Sequence, residues 1–147
     1  VMLILNFQEK INLVAKSKIS VCYNLVHIAS SHIPAIKSYN KWMENKAFSE
    51  VDKWNVMPQF KTRAHEAAIS RTLNLVQKDS WNIMENYYEP ETEFIYFNNE
   101  SDLRNKIIDI INNWEDYQTI IENAYNKAMK YTTNNFIQLI ASGEQWK

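Results

Sequence analysis

Glycine is nearly missing from this sequence: Gly143 is the only one in 147 residues. A glycine-rich dinucleotide fingerprint and a Walker-type P-loop both need several glycines, so neither is present. Any phosphate site here must rest on a bare helix N-terminus and on side chains. Cysteine is equally scarce. With Cys22 alone, an internal disulfide framework and a multi-cysteine zinc site are excluded. Cys22 lies in an apolar, β-rich run and is expected to be a buried thiol. The histidines His27, His32 and His65 do not form the i, i+4 helical pair of a zinc protease. No apolar run approaches the roughly 20 residues that cross a bilayer. The opening Val-Met-Leu-Ile-Leu is too short for a signal-peptide core and has no basic residue before it. No membrane span is expected, and the chain reads as cytoplasmic or as one part of something larger. An excess of charge is missing too: 16 Lys plus Arg against 17 Asp plus Glu give a net charge of −1. A general polyanion binder is usually clearly basic, so nucleic acid is not an expected partner. A small phosphate site needs only a few local donors and remains open.

What is present is a core. The chain is 46% hydrophobic and 22% charged, at the length of one domain. Met2 to Leu5 is a short apolar run with strand character. Asn6 suits a helix cap, with Phe7, Ile11, Leu13 and Val14 following at near-helical spacing. Lys18 to Tyr23 reads as a buried strand, with Asn24 just past its end, where open α/β sheets form ligand crevices. Residues 25–57 have no clean period; short helices and a long excursion are expected. Beyond Pro58, Thr62 to Ser70 is an Ala-rich helix, Leu73 to Val76 a strand, Asn82 to Tyr88 a short helix and Glu93 to Phe97 a strand. Asn99 or Ser101 caps the next helix, whose Leu103, Ile107, Ile110, Ile111 and Trp114 mark one buried face. A second helix carries Tyr117, Ile120, Ile121, Ala124 and Ala128. A third, capped by Thr132 or Thr133, turns Phe136, Ile137 and Ile140 inward. Strands alternating with helices predict an α/β domain over 1–147 with a mostly parallel sheet and C-terminal helices. Short apolar runs also suit buried helix, so an all-helical interaction protein is the competing fold.

The chemistry concentrates in Pro58 to Ala68. A loop carrying Lys61 runs into a helix starting near Thr62, whose free N–H groups and partial positive charge suit phosphate. Arg63 grips phosphate bidentately and Lys61 adds a point charge. Glu66, one turn in, suits the two hydroxyls of a ribose. The same residues also suit an ordinary amphipathic helix with an Arg63–Glu66 pair on its solvated face. Asp79, Ser80 and Trp81 follow a strand end and are further candidates to line the crevice. His65 is expected on the helix surface or in packing, and Glu85 and Glu89 on a solvated face.

This stretch, with the Leu73 to Asp79 strand and the run Trp81 to Phe97, resembles the C-terminal domain of GT-B-fold glycosyltransferases. The nearest likeness is to the group that includes spore-maturation proteins. Tyr96, Phe97, Asn99, Asp102, Leu103, Lys106 and Ile107 continue it, as do Asn123-Ala124-Tyr125 and Tyr131 to Phe136. It spans residues 10–140, most weakly over 25–57. The resemblance implies a single Rossmann-like domain, half of a GT-B fold, that binds a nucleotide sugar without a metal or other cofactor. It maps the diphosphate to the helix N-terminus with Lys61 and Arg63, and the ribose to Glu66. Asn24 and Asp79 face the same crevice. The common donor motif has a second glutamate further upstream, and Pro58 stands in its place. Arg71 replaces the glycine of the turn after the helix; either its own charge substitutes for the lost backbone contact or the site is degenerate. The resemblance does not identify the catalytic residues. A second Rossmann-like acceptor domain, in cis or in trans, is expected as partner. The alternative is a non-catalytic module that binds nucleotide sugars or packs on another domain through residues 25–57, with Trp42 and Trp54 as contacts.

Overall fold

The structure, a computed structural model, describes residues 6–32, 34 and 56–142. The order is α1 (Phe7–Ala15), β1 (Ile19–Cys22), β2 (Leu25–His27), β3 (Val56–Pro58), α2 (Thr62–Ile69), β4 (Leu73–Gln77), β5 (Ile95–Phe97), α3 (Glu100–Asn112), α4 (Gln118–Lys130) and α5 (Thr133–Ser142). Single 3-10 turns occupy Ser30–His32, Ile83–Asn86 and Trp114–Tyr117. β1, β4 and β5 form a parallel sheet in the order β1-β4-β5, with Val21 beside Leu75 and Leu75 beside Ile95. The chain is therefore α/β, and the all-helical alternative is wrong.

Strand alternation divides the apolar side chains between two faces. Cys22, Val76, Phe94 and Tyr96 meet Ala64 and Ala68 of α2, with Met84, Tyr88, Ala124 and Ala128. Leu73, Leu75, Ile95 and Phe97 meet Ile110 of α3 and Ile121, with Ile107, Trp114 and Tyr117 half-buried beside them. α4 contributes to both layers. The alanines of α2 let it approach β4 closely, and Asn74 Nδ2 donates to the Ala64 carbonyl at 2.9 Å to fix that contact. Asn6 caps α1 in a reciprocal box with Glu9, and α1 packs on α2. Thr72 Oγ1 donates to the carbonyls of Val14 and Ser17, tying the end of α1 to the start of β4.

Several expectations need correction. Of the short helices expected in 25–57, one 3-10 turn at Ser30–His32 is seen, and residues 35–55 lie outside the described residues; the two strands that bound the segment were not expected. β2 and β3 pair as an antiparallel ribbon, Leu25 beside Pro58 and Val26 beside Met57. Three-residue strands are too short for a period to show. The excursion thus leaves and returns at one place; Trp42 and Trp54 lie outside the described residues, as does the strand expected at Met2 to Leu5. The helix expected at Asn82 to Tyr88 is one 3-10 turn, entered through Asn82 in the left-handed region. Ile111 is exposed, not core. At about 100° per residue it lies roughly 80° from Leu103, at the edge of the stripe. Ile137, expected inward, is also exposed.

His65 lies among Phe60, Tyr87, Tyr88 and Tyr131, with ring centroids 4.9 to 6.0 Å away. Burial pushes the Tyr88 hydroxyl well above its ordinary 10.0, so it keeps its proton, and it shares a hydrogen bond with His65 Nδ1 at 2.5 Å. Burial also holds His65 below its ordinary 6.5. Unfolding therefore allows a protonation that the folded chain resists. The stabilisation is whole above pH 6.5 and is lost as pH falls from there through the folded value. Asp79, raised by burial from its ordinary 3.8, acts in the opposite sense, its contribution being lost as pH rises from 3.8 through the folded value. Urea titration should show lower stability at about pH 5 than at about pH 7, and His65→Gln should flatten that slope. An equal slope in the variant would remove His65 as its source.

Candidate functional site

α2 leads directly into β4, so it runs antiparallel to the strands. Its N-terminus therefore stands at the edge where the strands end, and Arg71 stands at the opposite edge. At the first edge an open pocket of about 510 Å³ lies between Val21–Tyr23 at the end of β1, Gln59–Arg63 leading into α2, and Lys10 from α1. Lys61 is the N-cap, extended at φ −96° and ψ 131°, and its side chain makes no cap bond. The first-turn N–H groups of Thr62 and Arg63 have no carbonyl behind them within the helix. Three cations, Lys10, Lys61 and Arg63, line the same pocket. Lys61 Nζ bonds the Gln59 side chain. Burial pushes the Cys22 thiol up, against a downward pull from Arg63 and Lys61, so both charges are felt at the pocket floor.

Asn24 is at this edge but supplies no ligand group, contrary to expectation. It is 1% exposed. Its Oδ1 accepts the Lys61 N–H at 3.3 Å and the Cys22 thiol at 3.5 Å, and its carbonyl accepts the Gln59 N–H at 2.7 Å. Asn24 thus positions the loop that carries Lys61.

Glu66 is in place one turn into α2, but its partner is not Arg63. Lys10 Nζ, 56 residues away in sequence, lies 2.7 Å from Oε1, which accepts its hydrogen bond. The same ammonium is 2.6 Å from Oε2, so both oxygens of this buried carboxylate face one cation, and Glu66 does not line the pocket. Sequence spacing gives no sign of Lys10, because periodicity reports only contacts within one helix or strand.

Arg71 and Asp79 do not line the pocket. Arg71 follows α2 at φ 54° and closes its end with two bonds, Arg71 N–H to Ala68 O and Thr72 N–H to Ala67 O. That Schellman turn favours glycine at the left-handed position. Here the arginine Nε bonds Glu122 Oε1 at 2.7 Å, and the guanidinium sits 3.6 Å from the centre of the Tyr125 ring. Its charge is spent at the far edge of the sheet and cannot replace a phosphate contact. Asp79 lies two residues past the end of β4 and accepts the Trp81 N–H at 2.8 Å, which fixes the turn into the 3-10 segment. Glu85 accepts from the Tyr96 hydroxyl at 3.1 Å.

Among the described residues, those that line the pocket carry no carboxylate and no imidazole. Among the described residues no group of His, Cys, Asp and Glu is placed to hold a metal ion, and no helix is long and apolar enough to cross a membrane. Comparison with family models, with curated proteins and with solved structures finds no match to this chain.

Proposed function

We propose that this chain is the donor-binding half of a glycosyltransferase, a Rossmann-like half of a GT-B fold that holds a nucleotide sugar by its diphosphate. The observation that carries the reading is the convergence of Lys10, Lys61 and Arg63 on a pocket at the N-terminus of α2. Aligned N–H groups and full positive charges at one point suit a diphosphate and stabilise it as it leaves the sugar. No metal is required for that role. Glu66 lies one turn behind the pocket lining, where its carboxylate holds Lys10. In this reading the acceptor and the remaining catalytic groups come from a second Rossmann-like acceptor domain, in cis or in trans. A non-catalytic nucleotide-sugar-binding module is the second reading. It is favoured by Pro58, which stands where the other donor-motif glutamate belongs and is paired with Leu25 in a strand.

Calorimetry with UDP, GDP, ADP, CDP and their sugar conjugates tests this. One nucleoside diphosphate is expected to bind with a Kd of about 1 mM or tighter. Failure of all of them against the folded chain would sink the proposal.

A further inference from the structure

We infer that the outer face of α3 docks a second copy of this chain, joined to the first about a two-fold axis. Among the described residues α3 supplies none of those that line the pocket, so the inference stands apart from the ligand reading.

α3 turns Leu103, Ile107 and Ile110 to the sheet. Its outer face, covered by water alone, is expected to be polar. Instead Ile108 and Ile111 are 49% and 55% exposed there. Arg104 is exposed on the same line. At about 100° per residue, Arg104, Ile108 and Ile111 fall within about 60° of one another. Glu115 is exposed in the 3-10 turn that follows α3. Among the described residues, neither the Arg104 nor the Glu115 side chain has an ion pair. The spacing of these four residues is symmetric: Arg104 stands four before Ile108, and Glu115 four after Ile111. When two copies of α3 pack antiparallel about an axis midway between the isoleucines, Ile108 of each meets Ile111 of the other. The same axis sets Arg104 against Glu115 at both ends. The face is therefore complementary to itself, in apolar contact at the centre and in charge at the rim. A parallel pairing would bring like charges together and is disfavoured. One helix pair is a small interface, so the dimer is weak, with a Kd of about 100 μM.

Sedimentation equilibrium of the full chain at low salt, from about 10 μM to about 1 mM, tests this. The wild type is expected to pass from monomer to dimer across that range. Ile108→Glu combined with Ile111→Glu should stay monomeric throughout and remain folded, because both side chains are exposed. Arg104→Glu alone and Glu115→Arg alone should each weaken the dimer by about tenfold, since a symmetric contact repeats each change at both ends. Mixed in equal amounts, these two variants should pair with each other to within about twofold of the wild-type affinity, because each then meets the opposite charge. A purely structural effect within one chain cannot produce that rescue. A wild type that is still monomeric at about 1 mM overturns the inference and leaves the stripe to a different partner. A dimer that survives the isoleucine changes, or charge variants that fail to rescue one another, overturn it equally.

Discussion

Replacing Lys61 and Arg63 together with alanine is expected to weaken nucleoside diphosphate binding by roughly a hundredfold while leaving the fold intact. Each side chain offers a charge-assisted hydrogen bond to a phosphate oxygen, worth about 1.5–3 kcal/mol. Two such losses sum to about 3 kcal/mol at the lower end, which is the hundredfold change. Stability should hold because Arg63 is exposed and Lys61 makes no cap bond with its side chain. Alanine is also the best helix former at position 63. The remaining affinity comes from the first-turn N–H groups and Lys10. Arg71→Ala provides the contrast: it removes an equal charge from the far edge of the sheet and should change affinity by less than about twofold. Titration calorimetry of the wild type and both variants at one ionic strength decides the matter. An effect below about threefold in the double variant, or a comparable effect from Arg71→Ala, would move the phosphate elsewhere.

Phe97→Ala is expected to destabilise the chain by about 3–5 kcal/mol. Phe97 is 1% exposed, at the end of β5 in the layer beneath α3. Its ring also receives the Tyr23 ring edge-on, with centroids 5.7 Å apart. Truncation removes the buried area and leaves a cavity that a paired strand cannot collapse to fill. Single domains hold about 5–15 kcal/mol in total, so this is a large share of what the chain has. Tyr23 lines the pocket, so loss of its support should also reach the ligand site. Urea unfolding followed by tryptophan fluorescence measures the change. A loss under about 1 kcal/mol would mean that the second layer is not a packed core.

The sheet and its helices were legible because their signals are local. Ile, Val and Cys at 19–22, the alanines of α2 and the Leu103–Ile107–Ile110 stripe each declare themselves within one element. The N-terminus of α2 was legible for the same reason, since a loop with Lys61 leading into an Ala-rich helix is a run of neighbours. What failed was long-range. Glu66 has an obvious helical neighbour in Arg63, yet its charge is met by Lys10, delivered by α1, which packs on α2. Arg71 stands in a sequence position that suggests the ligand, and the direction of α2 carries it to the opposite edge. Asn24 lies at the expected strand end, but its burial turns a supposed ligand into a brace for the Lys61 loop. Side-chain direction and the pairing of distant charges follow from packing, and packing leaves no period in the sequence.

α1 holds a further consequence. None of its residues is buried, and Phe7 and Leu13 are exposed along it. A helix held by so little apolar contact opens on its own, without unfolding the sheet, and its amides exchange hydrogen at a free energy well below the global value. Because Lys10 belongs to it, α1 and the pocket are thermodynamically linked: a ligand that engages Lys10 slows exchange in residues 7–15, and whatever frays the helix loosens the ligand.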